Sequence, residues 1–404
     1  MEIVLGMYRL RDPGGTEQYT LVAAEHLQKL GHDVTVFTEE GGGPMAELGR
    51  RRGLRLAERE EELPGAADVV YPQETITAYR LAARYPQAPL VVNVHAFDYD
   101  LSVPPQLLGL VSAVIVNHDR VDRRARAFAV DAEVVRLRQP VDVARFEPRG
   151  SLREPPRRLL ALGNYLNGDR ARVIDDACAG LGIEVVRVGA QHGGTVLEAD
   201  TVLNDADIVV GKARVIVEAM ACGRAAYVFD TFGSDGWVTP ESYARLEADN
   251  FSGQTGSPPV DVERLRSDLA LYRPDMGAAN RELAVVHHSA NKHAVELVEL
   301  FERLAPRGAQ PTAPLRELGR LVRVQWGIEE RAQTAAAEAR RVREENEQLR
   351  RHLRELEPVA ASAPELERSA REAHEAVCDL LAQRRVRFGL ALARPLDFLR
   401  RLRR

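Results

Sequence analysis

The chain has 404 residues, enough for two or three domains at roughly 150 residues each. Its 45% hydrophobic and 28% charged fractions exclude a disordered or collagen-like chain and fit a folded globular one. The net charge of −5 argues against bulk nucleic-acid binding, although residues 384–404 carry eight arginines and one acid, Asp397, which leaves −12 on the remainder.

The first stretch alternates short apolar runs with amphipathic ones. Glu2–Met7, Asp33–Thr38, Asp68–Tyr71, Leu90–His95, Ala113–Asn117 and Glu133–Leu137 are apolar on consecutive positions. That is the pattern of strands buried on both faces of a parallel sheet. Leu21, Ala24, Leu27 and Leu30 predict a helix over Glu17–Leu30, with Thr16 as N-cap and Gly31 as its stop. Strand, helix and strand in this order make βαβ units, so residues 1–145 read as a doubly wound α/β domain.

Residues 139–148 read as a crossing, followed by a loop rich in Pro and Arg over 151–158. The pattern then restarts with strands at Arg158–Leu162, Glu184–Val188, Asp207–Val210 and Ala226–Phe229, and helices near 170–181 and 215–222. A helical stretch, 281–304, closes a second α/β domain over 146–304. From about 312 the spacing changes. Ile328, Ala332, Ala335, Ala339, Val342, Asn346, Leu349, Leu353 and Leu356 stand alternately four and three apart, a heptad seam. Residues 305–383 therefore read as a helical coiled-coil region, broken at Pro358 and Pro364 and resumed at Leu366. Asn346 on the seam favours a two-stranded register and hence a homodimer. The alternative is a long helix folded back on the body.

Three cysteines, Cys178, Cys222 and Cys378, are too few for a disulfide framework or a zinc site, which predicts a reducing compartment. The start lacks a signal-peptide pattern, and no window approaches the roughly 18 apolar residues of a membrane span, so a cytoplasmic location is expected.

In doubly wound sheets, ligands bind beyond the carboxyl ends of the strands. After the first strand, Gly14 and Gly15 open the next helix, where bare glycines and free N–H groups suit an anion. His95 ends the fourth strand, placed to donate to a phosphate or to shape a reacting centre. Lys212 and Arg214 stand at the start of the helix near 215–222, where each cation is unfavourable by roughly 0.3–1 kcal/mol. A bound diphosphate would relieve that conflict, with Glu218 in the first turn accepting from ribose hydroxyls. Trp237, in a glycine-bearing loop over 230–241, either stacks on a base or plugs a gap. Thr239 caps the helix that follows it, with Pro240 at its first position.

The start Gly14-Gly15-Thr16-Glu17, the crossing Val141–Pro148 and above all Glu218-Ala219-Met220-Ala221-Cys222-Gly223-Arg224 resemble GT-B glycosyltransferases of family 4. The resemblance covers about 1–304. It implies two Rossmann-like domains facing across a cleft and retaining sugar transfer from a nucleotide-sugar co-substrate, without a metal or other cofactor. It assigns Glu218 to the ribose, Gly14 and Gly15 to the loop beside the phosphates, and His95 to the donor sugar. Val210 stands where the family's Glu-x7-Glu motif begins, and the usual Arg and Lys after strand 158–162 are absent. Arg170 or Arg172 is a candidate substitute, although neither falls in register. Lys212 and Arg214 supply the phosphate charge by helix electrostatics.

The arginines of 384–404 flank an apolar stripe of Phe388, Leu392, Leu396, Leu399 and Leu402, as in an interfacial helix. The expected partners are thus a nucleotide-sugar donor, a glycan or lipid-linked acceptor, and an anionic membrane surface rather than nucleic acid. Docking of the tail on the acidic body is the alternative. For the whole chain, the alternatives to a glycosyltransferase are a catalytically silent nucleotide-sugar binder or scaffold and a sugar-nucleotide epimerase of the same fold.

Overall fold

The structure, a computed structural model, describes residues 1–96, 102–128, 131–189, 196–230, 233–253, 261–308 and 311–382. The chain divides into a compact unit, Met1–Trp326, and a second unit that begins at Gly327.

The six predicted apolar runs form strands of the first sheet, β1 (Glu2–Gly6), β2 (Asp33–Phe37), β4 (Val69–Pro72), β5 (Val91–Val94), β6 (Ala113–Val116) and β7 (Glu133–Arg136), and a short strand not expected from sequence, β3 (Arg55–Ala57), joins them. Strands β3-β2-β1-β4 pair in parallel, and so do β5-β6-β7; a parallel bridge between Val70 and Leu90 joins the two sets. The crossovers are α1 (Gly15–Lys29), α2 (Pro44–Arg51), α3 (Thr75–Arg84) and α4 (Asp119–Ala127). Ile3 and Leu5 face one core and Val4 the other, all fully buried, which is why β1 is apolar on consecutive positions. Helix α1 starts at Gly15 with Gly14 as N-cap, so Thr16 is not the cap. The Glu17 carboxylate folds back into the space a side chain at Gly14 would need.

The second sheet holds β8 (Arg158–Leu162), β9 (Glu184–Val188), β10 (Ile208–Gly211), β11 (Ala225–Asp230) and β12 (Gly233–Trp237), in the order β12-β11-β10-β8-β9. Its helices are α5 (Gly168–Ala179), α6 (Asp200–Asn204), α7 (Arg214–Ala221), α8 (Pro240–Ala248), α9 (Val262–Leu269) and α10 (Asp275–His288). The glycine-bearing loop read at 230–241 is largely β12, an antiparallel edge strand pairing Trp237 with Tyr227. Gly233 and Gly236 give it no apolar alternation, so backbone pairing to β11 makes the strand. Thr239 caps α8 as predicted, accepting from the Ser242 N–H, and Pro240 is in its first turn.

The stretch expected to be helical over 281–304 is so, in two helices, because the chain turns at Ser289 between α10 and α11 (Ala290–Glu302). Helix α11 returns to the first sheet: Ala294, Leu297, Leu300 and Phe301 join the core of Leu5, Leu21 and Tyr71. The chain thus passes between the halves twice, side by side, with the Val141 N–H donating to the His288 carbonyl at 2.7 Å and the Ala290 N–H to the Val141 carbonyl at 2.9 Å.

Helix α12 (Thr312–Ala382) begins on the compact unit. Leu315 is buried against the α3 side of the first sheet, and Arg323 pairs with Glu39 at 2.8 Å. The helix then continues through positions 358 and 364, which were expected to break it. A proline removes one backbone hydrogen bond and bends a helix without always ending it. Among the described residues no helix is long and apolar enough to cross a membrane. The basic tail, 384–404, lies outside the described residues.

Each sheet has a switch point where strand order reverses: between β1 and β4 in the first, and between β8 and β10 in the second. The carboxyl ends of these strands face one cleft.

Candidate functional site

The cleft has about 210 Å³ of free space. Gly14, Gly15, Gln18 and Arg52 line it from the first domain; Gly163, Asn164, Glu198, Arg214 and Glu218 line it from the second. The starts of α1 and α7 therefore meet across one space; neither is capped by a side chain, and both carry the partial positive charge of a helix start.

The structure separates the two cations expected to converge there. Lys212 donates from Nζ to Asp230 Oδ1 at 2.8 Å and lies 4.4 Å from the Tyr165 ring centroid, and it does not line the cleft. Arg214 does line it. Between them Ala213 has a positive φ of 49° with ψ of −124°, a conformation that favours glycine and costs another residue about 1–3 kcal/mol. Its N–H donates to the Phe251 carbonyl at 3.0 Å. This turn sends consecutive cations to different sides. Their unfavourable position is relieved within the chain, by Asp230 for Lys212 and by Glu218 for Arg214.

Glu218 lies one turn into α7 rather than in its first turn, and Arg214 Nε donates to its Oε1 at 2.7 Å. Burial raises the Glu218 carboxyl above its ordinary range, against the pull of Arg214. The Arg214 side chain is only 11% exposed, and its Nη1 and Nη2 are buried without a hydrogen-bond partner. Two parallel N–H donors held in this way match two oxygens of an anion.

Arg52 stands on the opposite wall, 9% exposed, with Nη2 at 2.9 Å from Glu198 across the cleft. Burial, then the charge of Arg145, lowers its guanidinium pKa. Gln18 Nε2 donates to the Leu197 carbonyl at 2.7 Å, so α1 and α2 are both tied to the start of α6. Elsewhere between the domains, Arg120 grips Asp249 at 2.5 and 3.0 Å, and Arg136 meets Glu247 at 3.0 Å. Arg52 and Gln18 were not singled out from sequence. Nothing in Arg50-Arg51-Arg52 distinguishes the third arginine; the end of α2 does.

His95 is behind the first wall. Its Nε2 is 2.9 Å from Gln73 Oε1, and its ring meets Tyr19 of α1 edge-on at 4.9 Å. Tyr19 is in turn hydrogen-bonded to Tyr71 and His293. Arg170 donates to the Tyr165 carbonyl at 2.7 Å and shapes the 163–168 loop without lining the cleft. Trp237 donates to the Asp268 carbonyl at 2.7 Å and packs edge-on against Tyr227, so it fills the core beside β12 rather than stacking in the cleft.

The buried histidines set an acid limit on stability. Burial pushes His95, His118 and His288 down to about 4, and His293 to about 3. In the folded chain they stay neutral, whereas unfolded histidine takes a proton near 6.5. Their stabilising effect is complete above pH 6.5 and is lost as pH falls towards 4, by up to about 1.4 kcal/mol per pH unit for each group. Glu74, the cap of α3, is pushed up to about 7 by burial and, with Glu17 and Glu218, whose carboxyls burial also raises, works in the opposite sense; the four histidines, joined by His32 and His287, which burial also lowers, outnumber them. The melting temperature is therefore expected to hold above pH 7 and to fall steadily between pH 6.5 and 4. A flat thermal profile over that range would contradict neutral burial.

No protein-family model matches the chain, and no curated protein matches its sequence. Solved structures do match. A glycosyltransferase from Rickettsia africae ESF-5 is similar at a TM-score of 0.53 and 13% identity, over 74% of this chain and 98% of that one. WaaG, a glycosyltransferase involved in lipopolysaccharide biosynthesis, gives 0.45 and 13%, over 74% and 99%. MurG of Acinetobacter baumannii gives 0.42 and 15%, over 74% and 100%. At such identity the likeness is one of fold, and the Rickettsia africae protein carries it. The chain has the GT-B fold: two Rossmann-like domains that face each other across a cleft, with a helical C-terminal extension.

Proposed function

We propose that this chain is a glycosyltransferase that moves a sugar from a nucleotide-sugar donor to a glycan or lipid-linked acceptor. One observation carries the proposal: Arg214 holds two unpartnered, buried N–H donors in a cleft where two helix starts from opposite domains converge. A donor diphosphate would sit between Arg214, the α7 start and Gly14–Gly15. As the bond to the sugar breaks, negative charge grows on the leaving phosphate oxygen. Fixed donors aimed at that oxygen stabilise the transition state more than the ground state. Glu218 would accept from the ribose hydroxyls, and neutral His95, braced by Tyr19 and Gln73, would shape the side facing the sugar.

The proposal includes retention at the anomeric carbon and transfer without a metal ion, as the resemblance to family 4 implies. It extends to the tail, whose arginines and apolar stripe would hold the enzyme at an anionic cytoplasmic leaflet; failure of the full chain to pellet with anionic vesicles would remove that part. A second reading, a silent nucleotide-sugar binder, is favoured by Val210, fully buried in β10 where the family's first motif glutamate would stand. Release of nucleoside diphosphate from a panel of nucleotide sugars separates the two. Turnover with at least one donor is expected, and binding without release in the presence of acceptor extracts would favour the silent protein.

A further inference from the structure

The apolar side chains of α12 beyond Gly327 are exposed in a pattern. Ile328, Val342, Leu349, Leu353 and Leu356 are between 45% and 62% exposed, and all stand on one heptad seam. In heptad terms, Ile328, Ala335, Val342, Leu349 and Leu356 occupy d, and Ala332, Ala339, Asn346 and Leu353 occupy a. The seam spans 29 residues, about 43 Å of helix. An apolar stripe of that length, left in water, marks an interface.

The flanking charges say what covers it. Positions g are Arg331, Glu338, Glu345 and His352; positions e are Glu329, Ala336, Arg343, Arg350 and Glu357. When two copies pair in parallel and in register, each g faces the e of the partner's next heptad. Glu338 then meets the partner's Arg343, Glu345 meets the partner's Arg350, and His352 meets the partner's Glu357. The first two are ion pairs, the third sets an imidazole against a carboxylate that can bond it, and Arg331 faces the partner's uncharged Ala336, so no like charges meet. Antiparallel pairing sets g against g and e against e, which brings glutamates together and arginines together. Asn346 agrees: in parallel register it faces its own counterpart at a, where paired amides can bond, whereas antiparallel packing sets it against an apolar d residue. In the single chain its Nδ2 donates to the Val342 carbonyl at 2.9 Å, and Glu345 stands 3.5 Å from Arg341. Both are exposed local contacts, and the exposed ion pair is worth about 0.3–0.5 kcal/mol, so pairing can displace them.

We propose that residues 328–356 join the same residues of a second copy of this chain in a parallel, in-register, two-stranded coiled coil. The proposal is independent of what the cleft does. It goes beyond the expectation of a dimer by fixing orientation and register.

The full chain is expected to sediment as a dimer at about 10 µM and above. Orientation is read by cross-linking in a Cys378→Ser background, in which the remaining cysteines, Cys178 and Cys222, are buried. Ala335→Cys and Leu356→Cys, made separately, sit at d positions roughly 30 Å apart. Only parallel in-register pairing lets each form a disulfide with itself under mild oxidation, because antiparallel pairing can bring at most one of them to its counterpart. Arg343→Glu with Arg350→Glu should weaken dimerisation about tenfold, and adding Glu338→Arg with Glu345→Arg should restore it. A monomer up to about 100 µM, a disulfide at only one of the two positions, or no recovery in the fourfold variant would each overturn the proposal.

Discussion

Replacing Arg214 by alanine is expected to lower kcat/KM for the nucleotide-sugar donor by about 10- to 150-fold, the loss of one set of charge-assisted hydrogen bonds worth about 1.5–3 kcal/mol. The substitution removes a guanidinium that lines the cleft and leaves the glycine start of α1 in place. It also deprives Glu218 of its partner. Burial already raises the Glu218 carboxyl, and losing Arg214 raises it further, which favours its neutral form. The fold should therefore survive. Arg214→Lys keeps a charge but loses the paired donors, and should fall between wild type and alanine. A folded Arg214→Ala variant with unchanged kcat/KM would remove Arg214 from the site.

Lys212→Ala should act on stability instead. Asp230 is fully buried and Lys212 is its cation, so truncating the lysine leaves a carboxylate deep in the second domain without that partner. Breaking a buried pair from one side costs about 3–5 kcal/mol; since Lys212 is itself 35% exposed, about 2–3 kcal/mol is expected in denaturant unfolding. Lys212→Met combined with Asp230→Asn, which removes both charges, should recover most of the loss. If Lys212→Ala were as stable as wild type yet failed to bind nucleoside diphosphate, the lysine would belong to the anion site after all.

The contrast between these neighbours shows what a sequence can carry. The strands were legible because a parallel sheet covered on both faces demands runs such as Val69–Tyr71 and Ala113–Val116. The start of α1 was legible in part, since the glycine pair was read as opening the helix, but Gly14 and not Thr16 is its cap. Strand β12 was not, because its pairing to β11 is made by backbone atoms and leaves no pattern in Gly233–Trp237. The divergence of Lys212 and Arg214 was not legible either. It depends on a positive φ at Ala213, and a positive φ is ordinarily announced by glycine or asparagine. Arg52 reaches the cleft only because α2 ends beside it.

The most direct test of Arg214 as a diphosphate anchor is calorimetric titration of UDP, GDP, ADP, CDP and dTDP into the wild-type protein and the Arg214→Ala variant. At least one nucleoside diphosphate should bind wild type with a Kd below about 1 mM and bind the variant at least about tenfold more weakly. Equal affinity in the two proteins, or no heat from any of the five up to about 5 mM, would contradict it.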